Sequence, residues 1–132
     1  MSAANHTYSY RATVLAVVDG DTIDCRVDLG FHLAATLRFR LANYNAPEAS
    51  GAEASEGRRA TAMLRELLAG LDVTLHTHKS DAFGRWLAAV ELDDRSDLVT
   101  YLVARGWGVR WDGRGARPAP WRTVPYPLEA TP

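Results

Sequence analysis

One cysteine, one lysine and almost no net charge are what this chain of 132 residues has least of. With Cys25 alone, an intramolecular disulfide and a thiolate metal cluster are both excluded. Its place in an alternating stretch points to an ordinary buried thiol. The formal net charge is −1, so no global positive field draws in nucleic acid. Any such contact must come from a local basic patch. Fourteen arginines and Lys79 make up the 15 basic residues. Codon bias in a GC-rich genome is the plainer account of that excess, although arginine is the side chain that grips a phosphate with two parallel bonds. No apolar run approaches the length of a membrane span; the longest early one is Val14 to Val18. Residues Met1 to Thr7 carry neither the basic start nor the apolar stretch of a secretion signal, which makes a cytoplasmic, intracellular location the expectation, in a bacterial or phage-encoded setting alike.

What is present is enough for one domain with a real core, since 47% of the residues are hydrophobic. Tyr8 to Val18 reads as a strand rich in Val, Thr and Tyr. Asp19-Gly20-Asp21 is a turn signal in which glycine is expected at positive φ. From Thr22 to Asp28 the alternation is clean, with Ile23, Cys25 and Val27 on one face. A turn at Leu29-Gly30-Phe31 leads to a third strand, His32 to Leu41, with Leu37, Phe39 and Leu41 inward and Arg38 and Arg40 outward. Ala42 to Ala54 reads as a loop. Ser55 is expected to cap a helix running to about Leu71 over an inner stripe of Ala60, Leu64, Leu67, Leu68 and Leu71. Two further strands, Val73 to His78 and Arg85 to Leu92, flank an Asp81-to-Gly84 turn. A second helix, Asp97 to Arg105, ends at Gly106.

Three strands, a helix, two strands and a helix give a β-rich α+β class, with the element order of a five-stranded OB-fold Greek-key barrel. The expected division is a barrel domain over residues 1–112 and a proline-rich tail over 113–132, irregular and packed on the same domain by Trp121 and Tyr126. A flexible tail, or a proline-rich ligand for another domain or protein partner, is the other reading.

Chemistry-bearing residues fall in three short stretches: Asp19-Gly20-Asp21-Thr22; Arg40 with Asn45-Ala46-Pro47-Glu48; and Asp81-Ala82-Phe83-Gly84-Arg85. Each alone is a weak signal, and Asp-Gly-Asp by itself reads as nothing more than a hairpin. In this order and at these separations they resemble the staphylococcal nuclease-like (thermonuclease) family of calcium-dependent nucleases. The resemblance covers about Tyr8 to Trp111. It implies that Asp21, Asn45 and the Ala46 carbonyl hold one Ca2+, with Asp19 and Thr22 just behind. It further implies that Glu48 positions or deprotonates the attacking water, that Arg40 and Arg85 bind the phosphate, and that Phe83 and Leu87 lie beside the substrate. A phosphodiester gains negative charge on its equatorial oxygens during attack, and two guanidiniums plus a cation suit that charge.

The departures carry weight too. Asn45 stands where the family's best-known member has a second metal-binding aspartate, so weaker calcium affinity is expected. Phe83 and Ala82 replace a tyrosine and a lysine, and the loop from Ala49 to Ala54 carries no basic residue. The expected activity is metal-dependent hydrolysis of DNA, RNA or both by a monomer. A binding domain of the same fold that has lost turnover is the alternative. His76 and His78, two apart on one strand, are a lesser candidate for zinc. Trp107 and Trp111 are expected to divide between core packing and base stacking.

Overall fold

The computed structural model describes residues 8–48, 51–80, 86–113, 116 and 118, and the side chains of all these except 78–80. Alternation decides the first three strands, β1 (Tyr8–Asp19), β2 (Thr22–Gly30) and β3 (Leu33–Leu41). Ile23, Cys25 and Val27 are buried on β2, opposite Phe39, Leu37 and Ala35 of β3. Residues directly across an antiparallel pair share a face. The outward face of the same two strands therefore carries the pairs Thr22–Arg40, Asp24–Arg38, Arg26–Thr36 and Asp28–Ala34. Asp24 receives two hydrogen bonds from Arg38, at 2.8 and 3.1 Å. That donation lowers its pKa below the usual carboxylate value.

After β3 come a two-residue strand β4 (Tyr44–Asn45), a 3₁₀ turn (Gly51–Glu53) and helix α1 (Ala54–Leu68). Strands β5 (Asp72–Ser80) and β6 (Trp86–Glu91) follow, then α2 (Leu98–Ala104) and a last short strand, β7 (Val109–Arg110). The strands close into a barrel in the order β1-β2-β3-β6-β5, because β5 pairs back onto β1. β3 and β6 run parallel, matching Phe39 with Trp86, Arg40 with Leu87 and Leu41 with Ala88. This is the expected five-stranded barrel with two helices. Inside it lie Val14, Val17, Ile23, Val27, Phe39, Leu41, Val73, Leu75 and Val90, capped by Leu64 and Leu68 of α1 and by Leu98 and Leu102 of α2.

Several local expectations need correction. Ser55 does not cap α1: it is the helix's second residue, the cap position is Glu53, and no side chain bonds there. The Glu53 carboxylate instead accepts the Glu48 backbone N–H at 2.8 Å. The helix stops at Leu68, not Leu71, because Gly70 turns the chain at φ 76 and its N–H goes to Val14 of β1. Leu71 is consequently 42% exposed and not part of the inner stripe. Gly20 is not at positive φ. Glycine fits there because a Cβ would sit 3.0 Å from the Ala60 Cβ and 3.1 Å from the Ala46 Cβ, close enough that a neighbour would have to give by a few tenths of an ångström. The stretch read as a loop after Leu41 contains β4, which pairs with β7. By contrast α2 ends as expected. Gly106, at φ 78, donates to Val103, and Trp107 donates to Leu102, the two bonds that close a helix on a left-handed residue.

Cys25 is wholly buried, and burial together with the neighbouring Asp24 charge pushes its thiol up to about 12. A thiol reagent at neutral pH is expected to label the native protein only at its unfolding rate. The proton stays on the folded thiol while the unfolded one, with a pKa near the ordinary value of 9.0, has lost it. Stability should therefore fall as pH rises from about 9 towards 12, and Cys25→Ala should flatten that branch. Urea melts across that pH range check it; an unchanged branch in the variant refutes it.

Candidate active site

The β1–β2 turn and the end of β3 meet because Thr22 pairs with Arg40 and the Leu41 N–H donates to the Asp21 carbonyl at 2.8 Å. Thr22, buried, donates its hydroxyl to Asp21 Oδ1 at 3.0 Å and so fixes the carboxylate. Arg40 Nη2 lies 3.6 Å from the other oxygen, Oδ2, with the two side chains 13% and 18% exposed. The same nitrogen donates to the Tyr44 carbonyl at 3.2 Å. The guanidinium also lies over the Trp111 ring, 5.7 Å from its centre. An arginine held by a carboxylate, a carbonyl and an aromatic face is oriented rather than solvated.

β4 brings in the next group. Asn45 is buried on that strand opposite Val109, and Ala46 beside it is buried against Gly20 of the turn. The contact of Ala46 with Gly20 thus ties the exit of β4 to the β1–β2 turn that carries Asp21. Glu48 lies three residues past β4, on the exposed surface. Asp19, half-buried, lies opposite Thr22, and its charge reaches the Asp24–Arg38 pair. Leu87 is beside Arg40 across the parallel pair, on the same face. Arg85 and Phe83 lie outside the described residues.

Three further residues support the site, two of which, Tyr44 and Pro118, carry no signal in the sequence. Tyr44 supplies the carbonyl that holds Arg40, Trp111 supplies the ring, and Pro118 supplies the carbonyl that accepts the Asn45 Nδ2 hydrogen at 2.8 Å. Trp111, expected to pack in the core or stack on bases, has its ring beneath the Arg40 guanidinium. Trp107 is the core member of that pair, buried, with the Arg59 guanidinium 5.8 Å from its ring centre. His76 Nδ1 is 2.7 Å from Ser9 Oγ and Nε2 is 2.9 Å from Glu91 Oε1, so both ring nitrogens are engaged; the side chain of His78, the other member of the zinc pair, lies outside the described residues.

The three groups that the resemblance assigns to a cation offer hard oxygen donors only: a carboxylate on Asp21, a carboxamide on Asn45 and a backbone carbonyl at Ala46. Among the described residues, no group of three or more His, Cys, Asp or Glu side chains gathers as a metal cluster. Oxygen donors with little charge fit calcium, which accepts carbonyls and waters, far better than zinc.

A family model described as Staphylococcal nuclease homologue matches residues 38–115, more than half of the chain. The chain belongs to that family. The matched span takes in Arg40, Asn45, Ala46, Glu48 and Arg85 and begins after the Asp21 turn. Two curated proteins, one from Escherichia coli O157:H7 and one from Escherichia coli, both named uncharacterized endonuclease, are 33% identical to it over 93 residues. The alignment takes in 70% of this chain and 56% of each relative, so the chain spans little more than half their length. Membership of the staphylococcal nuclease family agrees with the closed barrel, whose β1–β2 turn and β3 exit frame the site. No helix among the described residues is long and apolar enough to cross a membrane.

Proposed function

We propose that this domain is a calcium-assisted nuclease that hydrolyses phosphodiester bonds of DNA, RNA or both, leaving 5′-hydroxyl and 3′-phosphate ends. The observation that carries the reading is the oriented Arg40 beside Asp21, on a turn packed against Ala46. Arg40, with Arg85, neutralises charge building on the phosphate oxygens as water attacks in line. Its guanidinium is already turned by Tyr44 and Trp111, so little ordering is left for the reaction itself. Glu48, exposed at the start of its loop, takes the proton of the attacking water. Asp21, Asn45 and the Ala46 carbonyl would hold calcium, which when bound adds positive charge opposite the phosphate. The test is incubation with single-stranded and plasmid DNA, with calcium and then with chelator. No metal-dependent cleavage at micromolar protein would overturn it.

The second reading, a nucleic-acid-binding domain without turnover, is favoured by one observation: the Asn45 amide is engaged with Pro118. Asn45→Asp separates the two. The added carboxylate should tighten calcium on the order of tenfold, while losing the bond to Pro118 costs about 1 kcal/mol of stability. Calorimetric calcium titration and a thermal melt measure both. Tighter calcium with raised activity supports the nuclease; tighter calcium with no cleavage in either protein supports the binding domain.

A further inference from the structure

The outward face of β2 and β3 continues well past Arg40. From Thr22–Arg40 the paired positions run through Asp24–Arg38 and Arg26–Thr36 to Asp28–Ala34, and the hairpin then turns at Phe31 and His32. Arg40 and Leu33 are seven residues apart on β3, roughly 23 Å at strand rise. At the far end is a depression of about 530 Å³, whose lining includes Arg11, Arg26, Asp28, Phe31, His32 and Asp72.

Two features of that end are costly to the free protein. Phe31 and His32 sit at φ 56 and φ 62, the left-handed region that a tight hairpin normally fills with Asn or Gly. The Phe31 ring is also 94% exposed, flanked by exposed Leu29 and Leu33. A strained, solvent-facing aromatic gains nothing for the fold.

The charges around it are not equivalent. Asp28 accepts the Gly30 N–H at 2.8 Å, Asp72 accepts the Thr13 hydroxyl at 2.6 Å, and Arg11 is paired with Asp93 at 3.4 Å. Arg26 is exposed and makes no hydrogen bond or ion pair among the described residues. A cation without a partner among the described residues and an exposed ring, on the face that leads from Arg40, suit one phosphate and one base of an unpaired strand. OB-folds bind oligonucleotides on this strand 2–3 face, with aromatic platforms and a basic track.

We propose that the β2–β3 face from Arg26 to Phe31 is an accessory site for single-stranded nucleic acid, Phe31 stacking on a base and Arg26 contacting a phosphate. The site names the substrate class for the nuclease reading above and rests on it. A duplex can offer Arg26 a phosphate but cannot stack a base on Phe31 without unpairing it, so the preference is for single strands.

The test compares the intact protein with Arg26→Ala, Phe31→Ala and Phe31→Asn on three calcium-containing reactions: a single-stranded oligonucleotide of about 12 nucleotides, its duplex, and bis(4-nitrophenyl) phosphate. Each variant is expected to raise KM for the single strand about five- to tenfold with kcat held and to leave KM for the small diester where it was, and the two Phe31 variants should leave KM for the duplex unchanged as well. Arg26→Ala should also reduce the salt slope of single-strand binding by about 0.7. Phe31→Asn suits the turn's positive φ better than phenylalanine, so its melting temperature should hold or rise while its single-strand affinity falls. That pairing is what a purely structural role cannot give.

Unchanged single-strand KM in both Phe31 variants overturns the proposal. So does a dimer or a vesicle-bound form that Phe31→Ala abolishes while oligonucleotide binding stays intact. If no protein cleaves any substrate, the nuclease reading has failed instead. Fluorescence anisotropy of the labelled oligonucleotide then decides: the same weakening in the variants keeps the accessory site, and equal binding removes it.

Discussion

Arg40→Ala is expected to lower kcat by roughly 10³-fold, the scale on which one well-placed arginine acts in phosphoryl transfer. The guanidinium is fixed between the Asp21 carboxylate, the Tyr44 carbonyl and the Trp111 ring. Its orientation is therefore set before substrate arrives. Arg40→Lys should recover little, because an ammonium lacks the planar fork that grips phosphate with two bonds and rests on an aromatic face. The loss has a second signature. Arg40 competes with any cation for Asp21, so its removal should tighten calcium binding even as turnover collapses. Single-turnover rates and a calcium titration on the same variant read both effects. A kcat within threefold of the starting protein, or weaker calcium, would contradict the arrangement.

Gly108→Ala carries the largest expected structural effect. A Cβ on Gly108 would lie 2.5 Å from the Asn45 backbone oxygen and 2.5 Å from the Tyr44 ring carbon and hydroxyl oxygen. Atoms cannot approach that closely, and two of the three belong to a buried tyrosine. β4 must shift away from β7, carrying with it the carbonyl that orients Arg40 and the Asn45–Ala46 pair. Overpacking of this kind costs about 2–3 kcal/mol, enough to lower the melting temperature by roughly 10 °C in a chain of this size. Urea melts and kcat should fall together. A variant as stable as the starting protein would show that β4 is free to move.

Much of the barrel was legible because periodicity records burial directly. Ile23-Cys25-Val27 and Leu37-Phe39-Leu41 alternate cleanly, and a one-residue slip would have exposed the whole set. Gly106 was legible as a helix end because a left-handed residue after the last turn is a local demand. Gly20 was noticed for the wrong reason. Its close contacts are with Ala46 and Ala60, distant in sequence, and no local rule reports such a contact. The same limit hid β4. Two residues make no periodic pattern, and Tyr44–Asn45 is a strand only because Val109–Arg110 comes back to meet it. Arg40 and Asp21 could be named from motif order, whereas Tyr44, Trp111 and Pro118 act through two carbonyls and a ring that any sequence could supply. Leu71 was assigned inward by helical spacing, which held only until Gly70 broke the helix.

The pairing of β4 with β7 also sets an order in time. Arg40 and Asn45 leave the ribosome early, yet their supports at Val109, Trp111 and Pro118 are made some seventy residues afterwards. A nascent chain halted at the second helix would hold Asp21, Arg40 and Asn45 but lack the Trp111 ring and the Pro118 carbonyl that complete their surroundings. Translation itself therefore delays full assembly of the pocket until the last of those supports has emerged.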